Sequence, residues 1–334
     1  MTDLRTNYLG LSLRSPIVAS AGPHTGDLDL LLELERAGAA AIVLPSLFEE
    51  QVEGDVAAVD RALDEQLATG NGGAAGVPLV DEYNAGADDY LALVEAAKAS
   101  VDIPVIASLN GTNIGYWLRY ARLLESAGAD AVELNLYSVA ADPIVSSVTL
   151  ESEHTGLVAV LTDDISIPVA VKISPFYSSI ASFVVALQAA GAAGVVMFNR
   201  FYMPDFDLDT RAVVPRISLS TPEDLRLPLR WIAIMREHLA MSIGASSGVH
   251  SGFDVAKAVL AGADVAMATS ALLRNGVGHV ATMEEQLRDW MKEQQITSVD
   301  EMRGTMRRPV AADPAAFERA NYIGNLAAYS LRTS

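Results

Sequence analysis

Lys172 is the residue whose position packing alone explains least. It interrupts IPVAV-K-ISP, an apolar run of strand length, in a chain with only four lysines. A charge in such a run is costly unless it is paired. Two readings are compatible. In one, Lys172 forms an ion pair with an acid on a neighbouring strand, Glu133 being the candidate. In the other, it is a fixed cation at a functional site, where it stabilises negative charge that develops on a bound group. Replacing it by Met should leave the fold intact, provided that no acid is left unpaired.

Three asparagines share this kind of position. Asn110, Asn135 and Asn199 each close an apolar run, as do Ser20, Ser46, Ser246 with Ser247, and Thr269 with Ser270. An amide both donates and accepts hydrogen bonds, which suits the edge of a planar, heteroatom-rich ring such as a flavin or a pyrimidine. The segment SIGASSGVHSGFDVAKAVLAGADVAMATSALL adds an anion site. Ser247 and Gly248 follow one apolar run, and Thr269 and Ser270 follow the next. Small residues there offer backbone donors and a helix N-terminus to a phosphate. His250 lies beside the first of these loops.

A recurring phrase shows what positions these residues. ERAGAAAIVL (35–44), ESAGADAVEL (125–134), QAAGAAGVVM (188–197) and VLAGADVAMA (259–268) each read as a helix end, a glycine stop and a buried strand. Adding the unrepeated runs gives eight strands, at 16–22, 40–46, 103–110, 130–136, 167–174, 193–199, 241–247 and 264–270. Helices are expected at about 28–37, 88–99, 113–127, 150–162, 178–190, 222–239, 252–261 and 278–294. Eight βα units predict a (β/α)8 TIM barrel in the α/β class, and the residues above then stand at its catalytic rim. A doubly wound sheet is the other candidate, but no G-x-G-x-x-G follows the first strand. We expect one barrel domain with its core at about 16–295. An acidic insertion (49–87) follows the second strand, a hairpin or lid (200–220) follows the sixth, and an extension covers 296–334.

Composition narrows the function classes. Among 334 residues there is no cysteine, and 42 acidic against 23 basic side chains give a net charge of −19. The chain therefore has no thiolate nucleophile or iron–sulfur ligands of its own, and nucleic acid is an unlikely partner. The uncharged stretch 173–199 is long enough on paper to span a bilayer. It carries Pro175, Ser178, Ser179 and Gln188, and it splits into a helix and a strand, so no membrane partner is expected. The N-terminus lacks the pattern of a signal peptide, which reads as a cytoplasmic protein.

The opening LGLSLRSPIVASAG, the phrase AGADAVELNLYS, VAVKISP and the ending SSGVHSGFDVAKAVLAGADVAMATSALLRNG together resemble the dihydroorotate dehydrogenase family of FMN-dependent barrels. The resemblance runs to about residue 295. It implies FMN as cofactor, with flavin contacts from Ala19, Ser20, Asn110, Asn135, Lys172 and Asn199 and phosphate contacts from Ser247, Gly248, Thr269 and Ser270. It places Ser138 at the position of the family's catalytic base, three residues after Asn135. Beside it, Tyr137 is a second candidate proton donor by residue type. Asn135, Asn199 and Arg200 are the substrate-binding candidates, Arg200 for a carboxylate. Where the family has a proline and a ring-holding asparagine, this chain has Val139 and Ala140. The lysine usual at the end of the second strand is also absent, the strand ending Leu44-Pro45-Ser46. Flavin-side positions are thus better kept than substrate-side ones.

The expected function is FMN-dependent oxidation or reduction of a CH–CH bond in a small acid, either dihydroorotate or a diverged substrate. Two other readings remain: a flavin-binding electron-transfer or regulatory subunit, and a flavin-free lyase using Lys172 as a Schiff-base amine. The resemblance also implies a homodimer, and any iron–sulfur cluster would belong to a redox partner protein.

Overall fold

The computed structural model describes residues 2–49, 86–111, 114–200, 203–214, 218–310 and 313–332. Most of the expected insertion at 49–87 lies outside the described residues. The chain opens with an antiparallel hairpin, β1 (Thr6–Tyr8) and β2 (Leu11–Leu13). Its two-residue turn has both φ angles positive, 55° at Leu9 and 79° at Gly10, as the twist of a tight hairpin requires.

Eight parallel strands then close into a barrel: β3 (Ile17–Ala19), β4 (Ala41–Phe48), β5 (Val105–Asn110), β6 (Ala131–Asn135), β7 (Val169–Ile173), β8 (Gly194–Met197), β11 (Ser242–Ser246) and β12 (Val265–Ala268). Between β8 and β11 lies a second hairpin, β9 (Asp205–Asp207) with β10 (Ala212–Val214). The expected excursion after the sixth barrel strand is therefore, in part, a hairpin.

The helices are α1 (Leu28–Ala37), α2 (Gly86–Ser100), α3 (Ile114–Ser126), α4 (Ser147–Asp164), α5 (Ile180–Ala189), α6 (Arg226–Met235), α7 (Gly252–Ala261), α8 (Ser270–Asn275), α9 (His279–Glu293), α10 (Val299–Met302) and α11 (Pro314–Arg332). The helix expected over 222–239 is broken into a 3-10 turn (Pro222–Leu225), α6 and a second 3-10 turn (Arg236–His238). The short α8 had no counterpart in the sequence reading. No described helix is long and apolar enough to cross a membrane.

Alternation along the strands explains why the runs are apolar throughout. Val18, Ala41, Val43, Ile106, Ala131, Ala170, Val196, Val265 and Met267 fill the barrel interior, where Tyr8, Leu9 and Leu13 of the first hairpin join them. The intervening residues, such as Ile17, Ile42, Val132, Val171 and Ile243, pack outward against the helices. The Leu9 N–H donates to Ser242 Oγ at 2.9 Å, and a Cβ on Gly194 would lie 2.5 Å from Leu9 Cδ2. Both contacts are at strand beginnings, so the hairpin plugs the N-terminal end of the barrel. The glycines of the four near-repeats, Gly38, Gly128, Gly191 and Gly262, all have φ between 91° and 121°, the left-handed stop that their spacing predicts.

The extension begins on the plugged end. Asp3 bridges Ser298. Arg303 pairs with Asp264 at 3.2 Å and donates to Thr6 Oγ1 at 2.6 Å. Glu318 then ties α11 to Arg230 and Arg308 at 2.9 and 3.1 Å. At the other end of the barrel, α7 lies hard against α9: a Cβ on Gly252 would sit 2.3 Å from the Met283 carbonyl oxygen and 2.4 Å from the Leu287 nitrogen. Backbone cannot yield as a side-chain tip can. Gly252→Ala should therefore destabilise the fold by about 1–3 kcal/mol, read as a lower urea midpoint at unchanged m-value.

Candidate active site

Strand register assembles one wall of the site. Across β4 to β7, Phe48 aligns with Asn110, Asn110 with Asn135, and Asn135 with Lys172. These are the last inward positions before the strands end. Asn199 joins them just beyond β8, where its N–H donates to the Ile173 carbonyl at 2.8 Å. Its amide donates to Asn135 Oδ1, also at 2.8 Å. Two of the three asparagines are thus bonded to each other, each fixing the other's orientation.

Below that row lies the partner of the lysine. Lys172 Nζ donates to Glu133 Oε1 at 3.2 Å, with side chains only 9% and 1% exposed. Among the described residues, Glu133 Oε2 has no hydrogen-bond partner, nor does the buried hydroxyl of Tyr8. Burial, with the charges of Glu133 and Asp264, drives the Tyr8 phenol well above its ordinary range, so it stays neutral. Of the two readings of Lys172, the ion pair is realised, and the ammonium still faces the cavity above it.

That cavity has a volume of about 530 Å³, within the range of small-molecule sites. Among the described residues it is lined by Ser20, Asn110, Asn135, Lys172, Asn199, Arg200, Ser247, Gly248, Thr269 and Ser270. Ten of the twelve site positions expected from sequence therefore meet at one cavity. Ala19 does not line it, because its side chain falls on the outward face of β3. Ser138 is half-buried and is also absent from the lining, whereas Tyr137 is present. Val139 and Ala140 are exposed.

The far wall is made by the loops after β11 and β12. Ser247 and Gly248 are both left-handed, at φ 74° and 79°. A Cβ at Gly248 would meet the Leu225 nitrogen at 2.3 Å, so only glycine lets the 3-10 turn at Pro222 come so near. The Gly248 N–H donates to Ser220 Oγ at 3.3 Å, and the Ser220 N–H donates to Ser270 Oγ at 3.0 Å. Ser220 Oγ also bonds His250 Nε2 at 3.2 Å. Residues 218–220 thus stitch the two small-residue loops together. The sequence reading did not single them out, because a short polar stretch before Pro222 carries no signal of its path past two distant loops. It missed Phe48 too, having ended the second barrel strand at 46; a register shift at Pro45 carries the strand on to Phe48.

Electrostatics at the rim are mixed. Arg200 pairs with Asp224 at 3.4 Å. Hydrogen bonds from Thr221, with help from Arg200, hold the Asp224 carboxyl below its usual range despite partial burial. Desolvation lowers His24, next to the cavity-lining Pro23, to about 4, so it is neutral at pH 7. His250 is also lowered, first by desolvation and then by Arg274.

Comparison with known proteins agrees with this geometry. The family model described as dihydroorotate dehydrogenase matches residues 3–291. The chain belongs to that family. Among its relatives is the catalytic subunit of dihydroorotate dehydrogenase B (NAD(+)) from Thermoplasma acidophilum, 26% identical over 92% of this chain and 100% of the relative. The Pyrococcus abyssi protein of the same name is 27% identical, covering 90% and 98%. Dihydroorotate dehydrogenase A (fumarate) from Lactiplantibacillus plantarum is 26% identical, covering 79% and 86%. The family match stops at 291, so α10 and α11 lie beyond it.

The ion pair changes the outcome expected for Lys172→Met. An acid is left unpaired, and Glu133 is almost fully buried. The single variant should lose about 3–5 kcal/mol of stability, whereas Lys172→Met combined with Glu133→Leu should recover most of it. Urea midpoints of the two variants and the parent check this.

Proposed function

We propose that the cavity binds FMN and that the protein is a flavin-dependent oxidoreductase acting on a small carboxylic acid. The observation that carries this reading is the convergence of the Asn110–Asn135–Lys172 row and Asn199 on a cavity whose opposite wall is two small-residue loops. The residues present fit the cofactor. Amides and a buried cation suit a planar ring that gains negative charge on reduction. Glycine at 248 and the start of α8 after Thr269 suit a phosphate.

When bound, the flavin supplies a two-electron acceptor or donor for a carbon–carbon bond of the substrate. The chain's own groups do the rest. Lys172, held by Glu133, provides fixed positive charge that need not reorganise during reaction. The Asn135–Asn199 pair keeps its orientation without substrate. Arg200 takes a carboxylate at the mouth. Tyr137 or Ser138 moves the proton; for Ser138 this requires its loop to bring the hydroxyl to the cavity. Engagement of Lys172 by Glu133 favours the fixed-cation role over that of a Schiff-base amine.

The named relatives act on dihydroorotate, but this chain has Val139 and Ala140 where the family pattern has its proline and ring-holding asparagine. A methyl group replaces none of that amide's hydrogen bonds, each worth roughly 0.5–1.5 kcal/mol. We therefore assign a substrate other than dihydroorotate. Because several relatives are named as catalytic subunits, a redox partner protein is part of the proposal, and a homodimer is its expected assembly.

Purified protein should be yellow and release about one FMN per chain; a colourless protein that cannot be reconstituted with FMN rules the reading out. Mixed anaerobically with saturating dihydroorotate, the flavin should bleach slowly or not at all, while dithionite bleaches it fully. Fast bleaching that disappears in Ser138→Ala would instead make this an ordinary dihydroorotate dehydrogenase with a serine base.

A further inference from the structure

Two polar atoms in the barrel interior, the Tyr8 hydroxyl and Glu133 Oε2, have no hydrogen-bond partner among the described residues. Tyr8 is fully buried and Glu133 is 1% exposed. Buried polar atoms are normally paired, with ordered water wherever no protein group reaches them. These two are complementary. The neutral phenol brings an O–H donor, and the carboxylate oxygen accepts. Two acids bear on that phenol, Glu133 and Asp264. Asp264 is already engaged: one oxygen meets Arg303 at 3.2 Å, and the other accepts from Arg236 at 3.0 Å and from the Ile243 N–H at 2.8 Å. Of the two acids, only Glu133 has an oxygen left for the phenol.

Strand register brings the hydroxyl to the level of the ion pair. A Cβ on Gly244 would lie 3.4 Å from Tyr8 Oη, so the hydroxyl tops the hairpin plug beside a position that carries no side chain. Gly244 pairs with Val196, and Val196 pairs with Lys172. No direct bond joins the phenol to Glu133. A bridging water would have the phenol as donor and the carboxylate as acceptor, and Lys172 spends only one of its three N–H donors on Glu133. That one bond measures 3.2 Å, longer than the roughly 2.7–2.9 Å usual between ammonium and carboxylate. A carboxylate held at one oxygen by a single long bond is free to turn. Anchoring its second oxygen fixes the plane of the group, and with it the place of the ammonium beneath the cavity.

We propose that Tyr8 is a positioning residue for Lys172. One internal water joins its hydroxyl to Glu133 Oε2, and the carboxylate so held sets the ammonium against negative charge that forms in the cavity above. The plug at the N-terminal end of the barrel thereby acts on the chemistry at the other end through a single hydroxyl. The redox consequence rests on the reading of the cavity as an FMN site; the bridge itself does not.

A crystal structure of the parent that resolves ordered water should show one water within hydrogen-bond distance of both Tyr8 Oη and Glu133 Oε2, and Tyr8→Phe should lack it. The second readout is the midpoint potential of bound FMN. In Tyr8→Phe the preference for reduced over oxidised flavin should fall at least about threefold, in the direction of the Lys172→Met, Glu133→Leu double variant. Leu13→Ala loosens the same plug without touching the hydroxyl, so it should lower the urea midpoint and leave the potential alone. No water common to the two atoms overturns the bridge. A potential unchanged in Tyr8→Phe, or changed equally in Leu13→Ala, overturns the positioning role. A protein that holds no flavin defeats the cofactor assignment instead, and the water then decides the proposal by itself.

Discussion

A lysine and a glutamate inside a closed barrel constrain everything around them. Lys172 and Glu133 sit on adjacent strands with side chains 9% and 1% exposed, so Glu133 cannot reach water without opening the barrel and Lys172 meets it only through the cavity above. Removing either leaves the other as an isolated buried charge, which is why such pairs are costly to break even when they add little to net stability. The pair also pins register. A one-residue slip of β6 or β7 would turn its charge outward among the apolar side chains that pack against the helices.

The interior is consequently divided along the barrel axis. Toward the N-terminal end, Tyr8, Leu9 and Leu13 of the first hairpin complete a dry plug with Val18, Ala41 and Val265. Toward the C-terminal end, the inward positions turn polar: Ser46 and Ser108 share a hydrogen bond of 2.8 Å, and above them lie the asparagines and Lys172. The plug is apolar and the rim polar, the division that places active sites at the C-terminal face in this architecture. Glu133 stands between the two, with one oxygen on the lysine and the other without a hydrogen-bond partner among the described residues.

The two walls of the cavity are built differently. The asparagine–lysine wall follows from strand register and is rigid because the ladder is. The opposite wall depends on close approach of irregular backbone: Gly248 against Leu225, Ser220 spanning Gly248 and Ser270, and Ser247 in a left-handed conformation that a residue with a Cβ adopts at some cost. Between them, Arg200 stands at the mouth of the cavity, paired with Asp224.

Much of this was legible in the sequence because the signals are local. Apolar runs, glycine stops at fixed spacing and a polar residue closing each run specify a βα repeat, and eight repeats specify a barrel, since the parallel strands must bury both faces. Once the barrel is inferred, the strand ends become neighbours, which is why Asn110, Asn135, Lys172 and Asn199 could be grouped before any coordinates. Other features are decided by contacts between segments distant along the chain, which local spacing does not encode. Glu133 could be named from sequence as a candidate partner for the lysine, but that the pair forms was decided by the β6–β7 register. The strap at Ser220 needed its three-dimensional path past two loops. The outward turn of Ala19 and the absence of Ser138 from the cavity depend on side-chain direction and loop packing, and only the tertiary structure sets these.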